Sequence, residues 1–205
     1  PRDMVLNMLI METAVLMVYL LVTLKGKNFF SFLRIRKIRP ALLPILFLES
    51  WLLLLAASFL NACSELYFPN GAKGSLSMAM DYFPASLLVF CLAPAIAEEV
   101  TFRGGVLRCF RDSKKGIIIS ALLFAIWHMN LNQMSYALLA GLLLGILVVV
   151  TDNLVSGMII HFLFNLYNLL AVRFQETAGG GIMYYPERLR GLLLPALKDG
   201  AGNFV

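Results

Sequence analysis

The stretch Ser120-Ala-Leu-Leu-Phe-Ala-Ile-Trp-His128-Met129 sets one imidazole in a run that is otherwise almost wholly apolar. Met158-Ile-Ile-His161-Phe-Leu-Phe-Asn165 does the same with the only other histidine of the chain. A third apolar run carries adjacent acids, Glu98 and Glu99, followed by Arg103. Each run lies in an apolar segment near the length of about 20 residues that crosses a hydrocarbon core of about 30 Å. Backbone polar groups find no water at that depth, so such segments read as helices. Ionisable side chains are unfavourable there, and each is a candidate functional group.

The same character extends over the whole chain. Of 205 residues, 60% are hydrophobic and 14% charged, with a mean hydropathy of +0.81. A soluble domain is about half apolar and about a quarter charged. Apolar segments are read at 4–24, 41–60, 84–110, 116–129 (with room to extend to 136), 136–150 and 154–172. The fold expected is all-α: a polytopic membrane helical bundle of about six transmembrane helices, with the polar motifs on the third, fourth and sixth. Residues 1–205 read as a single membrane domain with a motif core at 84–172. No small-residue cleavage site follows the first segment, which therefore reads as a retained helix.

The charges supply an orientation. Lys25, Lys27, Arg34, Arg36, Lys37 and Arg39 fall between the first two segments with no acid among them. Arg103, Arg108, Arg111, Lys114 and Lys115 crowd the junction of the third and fourth. Six crossings put both groups on one side, which the positive-inside rule makes cytoplasmic. The net charge of +5 and pI near 9.3 are thus explained by membrane topology and lipid contact, not by nucleic acid. Cys63, Cys91 and Cys109 are odd in number and widely spaced, so they give neither a disulfide framework nor a metal knuckle. The tail, 173–205, contains Gly179-Gly-Gly and a mixed Glu187-Arg-Leu-Arg-Gly-Leu-Leu-Leu segment that suits an interfacial helix. The lean loops favour a prokaryotic plasma membrane, with the endoplasmic reticulum as the eukaryotic counterpart.

Depth brings the polar groups together. Glu98 precedes the polar turn at 111–115 by about as many residues as His128 follows it, so at about 1.5 Å per residue the two lie at similar height. His161 enters the sixth segment from the same side and falls in the same layer. On the third segment Glu99 and Arg103 are spaced i, i+4, acid first, the favoured order for a helical pair. Glu98 is rotated about 100° away and is free to point elsewhere. His161 and Asn165 share a face by the same spacing, as do Phe124 and His128. One pocket can therefore hold Glu98, His128, His161 and Asn165.

These parts admit two uses. A carboxylate beside an imidazole can deprotonate water, while a second imidazole and an amide stabilise the oxyanion formed at a carbonyl. Alternatively Glu98, His128 and His161 can ligate one Zn²⁺ or other divalent metal, with water in the fourth position.

Glu98-Glu99-Val-Thr-Phe-Arg103, Phe124-Ala-Ile-Trp-His128 and His161-Phe-Leu-Phe-Asn165 resemble, in order, the three motifs of the CPBP intramembrane proteases. That family comprises type II CAAX prenyl endopeptidases and bacteriocin-processing or self-immunity proteins. The resemblance covers 98–165, and outside it the chain matches only as membrane segments. It implies an all-helical membrane fold that cleaves a lipid-proximal peptide, with membrane lipid and a peptide substrate as partners. It implies that Glu98 and His128 activate water and that His161 and Asn165 hold the oxyanion. Glu99, Arg103 and Phe124 are then supporting residues. Members are described both as glutamate-dependent proteases and as metalloproteases. The absence of a compact H-E-x-x-H motif, and the presence of Asn165, favour direct glutamate catalysis without a metal.

Each residue also has a plainer reading. A membrane histidine alone is as often an interhelical hydrogen-bonding group. Glu12 and Glu49, outside the motifs, are expected to pair with polar groups in the bundle. Asn168 extends the polar face or caps helix contacts. Gly141-Leu-Leu-Leu-Gly145 marks close helix packing, within the bundle or between chains. Two rival functions use the same fold: a non-catalytic immunity or scaffold protein, and a divalent-cation transporter.

Overall fold

The computed structural model describes residues 2–68 and 83–178. Every regular element among them is helical. Helix α1 spans Arg2–Leu24 and is followed by a left-handed turn at Gly26 (φ 68°). The short α2, Phe29–Leu33, starts on Asn28, whose side-chain oxygen accepts from Ser31 N at 3.0 Å, and stops at left-handed Arg34. A turn at Pro40–Leu42 leads into α3, Leu43–Glu65. Then come α4 (Phe83–Cys109), α5 (Ser113–Trp127), α6 (Leu131–Thr151) and α7 (Leu154–Ala178). The six apolar segments of the sequence correspond to α1, α3, α4, α5, α6 and α7. The segment expected at 187–194 lies outside the described residues.

Four of these helices are long and apolar enough to cross a membrane: Pro40–Glu65, Phe83–Cys109, Leu131–Thr151 and Leu154–Ala171. Within α1 the apolar stretch Thr13–Leu24 is shorter. Helix α5 also falls short. Its 15 residues rise about 22 Å, less than a hydrocarbon core of about 30 Å. The fourth segment does not run on to Tyr136. It closes at His128, Met129 takes a left-handed conformation (φ 47°), and Asn130 caps α6 by accepting from Asn132 N and Gln133 N. An Asx cap competes with helix continuation and wins here.

The outer surface is apolar and part of the interior is polar. Leu48, Leu52, Ile118, Leu122, Ile126 and Val150 are exposed, which a soluble monomer would not tolerate as a continuous surface. Ser50, Ser120, Asn132, Ser156, Glu99, Arg103 and His161 are buried. Without a hydrophobic force between helices in lipid, close packing and internal hydrogen bonds must hold the bundle. Ser120 Oγ donates to Phe102 O at 2.9 Å, tying α5 to α4. Gly141 and Gly145 let α6 meet α5 at Ala121 and Ile117, so this small-residue pair packs within the bundle. A Cβ on Gly141 would stand 2.9 Å from Ala121 Cα. Gly141→Ala is expected to destabilise the fold by about 1–3 kcal/mol through overpacking, read as the midpoint of SDS unfolding in mixed micelles.

Helix α4 is not a regular α-helix. Its Leu87–Leu92 and Glu99–Val106 segments are π-helical, with i→i+5 bonding. The first wide turn precedes Pro94, whose ring would clash with the carbonyl four residues back in a regular helix. The second carries Glu99 and Arg103. Beside it Gly104 lets Leu33, itself fully buried, press against α4: a Cβ there would stand 2.4 Å from Leu33 Cδ2.

The basic connection between α1 and α3 is locked to the α6–α7 turn. Arg34 and Arg36 pair with Asp152, the latter at 3.0 Å. Asn153 accepts from Arg36 N and donates to Arg36 O, at 3.2 and 3.1 Å, and Leu154 N donates to Arg34 O. Arg108 of the second basic group donates to Leu33 O at 3.2 Å, so it shares one end of the bundle with the basic connection, as the positive-inside reading requires.

Candidate active site

Three helices supply the site. Glu98, Glu99 and Arg103 come from α4, His128 from the C-terminal cap of α5, and His161 and Asn165 from α7. Glu99, Arg103 and His161 are buried, and the Glu98 side chain is 12% exposed.

Arg103 is the anchor. Its Nη1 donates to Glu99 Oε1 at 2.8 Å and its Nη2 to Gly141 O at 3.3 Å. Its guanidinium lies over the Phe124 ring, 4.4 Å from the centroid. An ion pair, a carbonyl and a cation–π contact thus compensate a charge that is wholly buried. Glu99 Oε1 also takes His161 Nδ1 at 3.1 Å. Gly157, one turn before His161, makes room for that carboxylate, since a Cβ there would stand 2.8 Å from Glu99 Oε2.

Both imidazoles are oriented by acceptors. His128 Nδ1 lies 2.8 Å from Phe124 O, and His161 Nδ1 meets Glu99. A carbonyl and an ionised carboxylate can only accept, so Nδ1 carries the proton in each ring. Nε2 is then the nitrogen left for chemistry in both. On His161 it faces Glu98 Oε2 at 3.6 Å. That carboxylate oxygen is buried and has no hydrogen-bond partner among the described residues.

Phe124 sits among the charged groups. Its ring centroid is 4.9 Å from that of His128, 5.8 Å from His161 and 5.4 Å from Phe102. A cavity of about 30 Å³ opens on this cluster, lined by His128, His161, Asn165, Tyr136 and the apolar Leu53 and Phe164. It exceeds the roughly 10–15 Å³ that one water needs. Glu98 is not among its lining residues and meets the group through His161.

All four expected site residues are therefore drawn to one locality, with Glu99, Arg103 and Phe124 around them. Two features differ from the spacing argument. Both acids, not Glu98 alone, turn toward His161 and take opposite edges of its ring. Tyr136, a residue that no motif contains, joins His128 and His161 on the cavity wall. Asn168 instead donates to Phe164 O of its own helix at 2.9 Å. Glu49 is half-buried on α3 and does not line the cavity. The Glu12 side chain lies outside what the structure describes.

A divalent metal would need at least three convergent donors. Among the described residues no group of three His, Cys, Asp or Glu side chains is placed to hold one. Glu99 already holds one ring nitrogen of His161, and the Phe124 carbonyl holds one of His128.

No curated protein and no solved structure matches the chain. Residues 81–167 match the family model described as "Type II CAAX prenyl endopeptidase Rce1-like". That interval contains all three polar motifs, with α4, α5, α6 and the first part of α7. The stretch 81–167 thus belongs to the CPBP family of integral-membrane endopeptidases, as a domain of the Rce1-like type.

Proposed function

We propose that the protein hydrolyses a peptide bond of a membrane-associated substrate by direct glutamate catalysis. The observation that carries this reading is the pairing of Glu98 Oε2 with His161 Nε2 in a buried cluster whose other charges are already matched.

The charge balance supports it. Arg103 contributes one positive charge and Glu98 and Glu99 two negative charges, so one further proton brings the buried group to neutrality. Glu98 Oε2 and His161 Nε2, 3.6 Å apart, are the groups placed to share that proton. With the proton on His161, Glu98 is a carboxylate able to take a proton from water. His128 Nε2 then accepts from the same water and aims it. The oxygen attacks the carbonyl carbon, and the resulting oxyanion accepts from His161 Nε2–H and the Asn165 amide. Glu98 returns its proton to the departing amine as the C–N bond breaks. Glu99 and Arg103 hold the His161 ring in place throughout.

A cavity of about 30 Å³ accommodates water but not a peptide, so substrate entry must displace lining side chains such as Leu53 or Phe164. Prenylated C-terminal peptides, peptide leaders and membrane-sorting tails all have the required chemistry: a scissile bond beside a membrane anchor.

Two measurements test the proposal. Membrane-protein termini are compared between cells holding the wild type and Glu98→Ala at equal abundance. A new peptide end found only with the wild type is expected, and identical end profiles with the protein folded would point instead to a binding or immunity role. Treatment of the purified protein with a strong divalent chelator is expected to leave cleavage unchanged. A loss restored by added Zn²⁺ would overturn the metal-free route.

A further inference from the structure

At the basic end of the bundle a recess of about 460 Å³ opens between the 25–39 connection, the end of α4 and the α5–α6 pair. Helix register explains it. Gly141 faces Ala121 and Gly145 faces Ile117, so the antiparallel pairing sets Ser113, the first residue of α5, beside Val149. Helix α6 runs on to Thr151. The short α5 thus begins before the end of the bundle, and the space beyond its first turn is the recess. Its volume falls in the range of small-molecule sites, about 300–1,000 Å³.

The lining is cationic. Lys27, Arg34 and Arg108 face the recess with the hydroxyl residues Ser31 and Ser113, against one acid, Asp152. Three positive charges less one negative leave +2. Asp152 is engaged by Arg34 and Arg36, so its one negative charge is already shared between two guanidinium groups. Arg34 and Arg36 stand close enough to Arg108 to repel it. Arg108 is held against that repulsion by Nη2 donating to Leu33 O at 3.2 Å, while its Nε is buried with no hydrogen-bond partner among the described residues. Lys27 is steadied over the Phe32 ring, 5.4 Å from the centroid. The other nearby acid, Asp112, is used as the cap of α5 through Lys114 N and does not line the recess. Convergent like charges weaken a fold unless an anion joins them. Guanidinium forks, an ammonium and two hydroxyls are the groups that recognise phosphate oxygens.

We propose that this recess binds a phosphate-bearing anion, either the headgroup of an acidic phospholipid or a soluble phosphate. Bound there, the anion ties the α1–α3 connection to the ends of α4 and α6. The positive-inside rule puts the recess at the cytoplasmic boundary of the membrane, where anionic headgroups are available.

The test uses the full chain reconstituted in nanodiscs of phosphatidylcholine with or without phosphatidylglycerol. Bound lipid is counted by native mass spectrometry after transfer to a neutral detergent. Wild type is expected to retain one phosphatidylglycerol in preference to phosphatidylcholine. Lys27→Gln with Arg108→Gln should weaken that retention by about tenfold or more, and Lys27→Gln alone by several-fold. Among the described residues Lys27 makes only its contact with the Phe32 ring and no side-chain hydrogen bond, so the single variant guards against misfolding of the double. Lys114→Gln with Lys115→Gln removes the same charge outside the lining and should retain lipid like the wild type. Equal losses in the two doubles would mean a diffuse surface attraction and overturn the site, as would equal retention of both lipids with no effect of phosphate. Inorganic phosphate and glycerol 3-phosphate are added to the delipidated protein and, as competitors, to protein carrying phosphatidylglycerol. If they raise its unfolding temperature and displace lipid at millimolar concentration, the source is a soluble phosphate. If only phosphatidylglycerol does so, it is a headgroup.

Discussion

Replacing Glu98 with Gln is expected to lower the rate of peptide cleavage by about 10²–10⁴-fold, the range that a positioned general base supplies. The folded protein should remain as stable as the wild type. The two halves of this expectation rest on separate observations. Glu98 Oε2 faces His161 Nε2 at 3.6 Å, beyond hydrogen-bonding distance, and no residue described uses that oxygen to hold two helices together. Gln keeps the shape, and the ion pair that remains buried, Arg103 with Glu99, is still matched. It cannot take a proton from water. The measurement pairs initial rates in proteoliposomes with SDS unfolding midpoints. A variant that still cleaves within about threefold of the wild type would remove Glu98 from the general-base role. A variant that loses activity only because it unfolds would make the residue structural.

Arg103→Met should do the reverse: lower stability by about 3–5 kcal/mol, with activity lost as a consequence. Arg103 compensates Glu99 at 2.8 Å, satisfies the Gly141 carbonyl and stacks on Phe124. Methionine keeps only part of the packing and leaves an uncompensated carboxylate at the centre of the bundle. The double variant Arg103→Met, Glu99→Gln removes both charges and should recover part of the lost stability, because the damage in the single variant comes from the charge left behind. If the single variant unfolds at the wild-type midpoint, Arg103 and its bond to the Gly141 carbonyl are not what fix α4 to α6. If the double loses the sum of the two singles, the residues act independently.

These neighbouring acids show how far the sequence could be read. Their place in an apolar run, the i, i+4 spacing of Glu99 and Arg103, and the equal depths of Glu98 and His128 follow from helical periodicity and hydropathy. So does the existence of each apolar helix. The bonding of His161 does not. A regular helix rotates Glu98 and Glu99 about 100° apart, and that separation suggested one acid per partner. The π-helical stretch at Glu99–Val106 carries i→i+5 bonds that no residue in it announces, and both carboxylates reach one imidazole. The end of α5 near Met129 is legible, and the extension to Tyr136 fails for a different reason. Composition is apolar through Met129, so hydropathy runs on, whereas the stop is set by one side chain, Asn130, capping the next helix. Tyr136 was passed over because an aromatic residue in an apolar helix carries no motif, and only the packing of α6 against α5 and α7 turns it to the cavity. The basic connection 25–39 was legible as an orientation signal. Its pairing with Asp152 and Asn153 was not, since nothing local in either segment names the other.

That last pairing has a bearing on how the protein is made. The bonds joining Arg34 and Arg36 to Asp152 and Asn153 link positions 117 residues apart for Arg36 and Asn153. A chain synthesised from its N-terminus must therefore insert α3 to α6 before the connection beside α1 finds its partners. Closure of so long a loop is slow relative to pairing of adjacent helices. Until then Leu33 and the arginines near it lack the α6–α7 turn. The joint is thus among the last parts of the bundle to assemble, and a nascent chain halted before Asp152 would expose its basic connection to whatever quality-control factors survey the membrane surface.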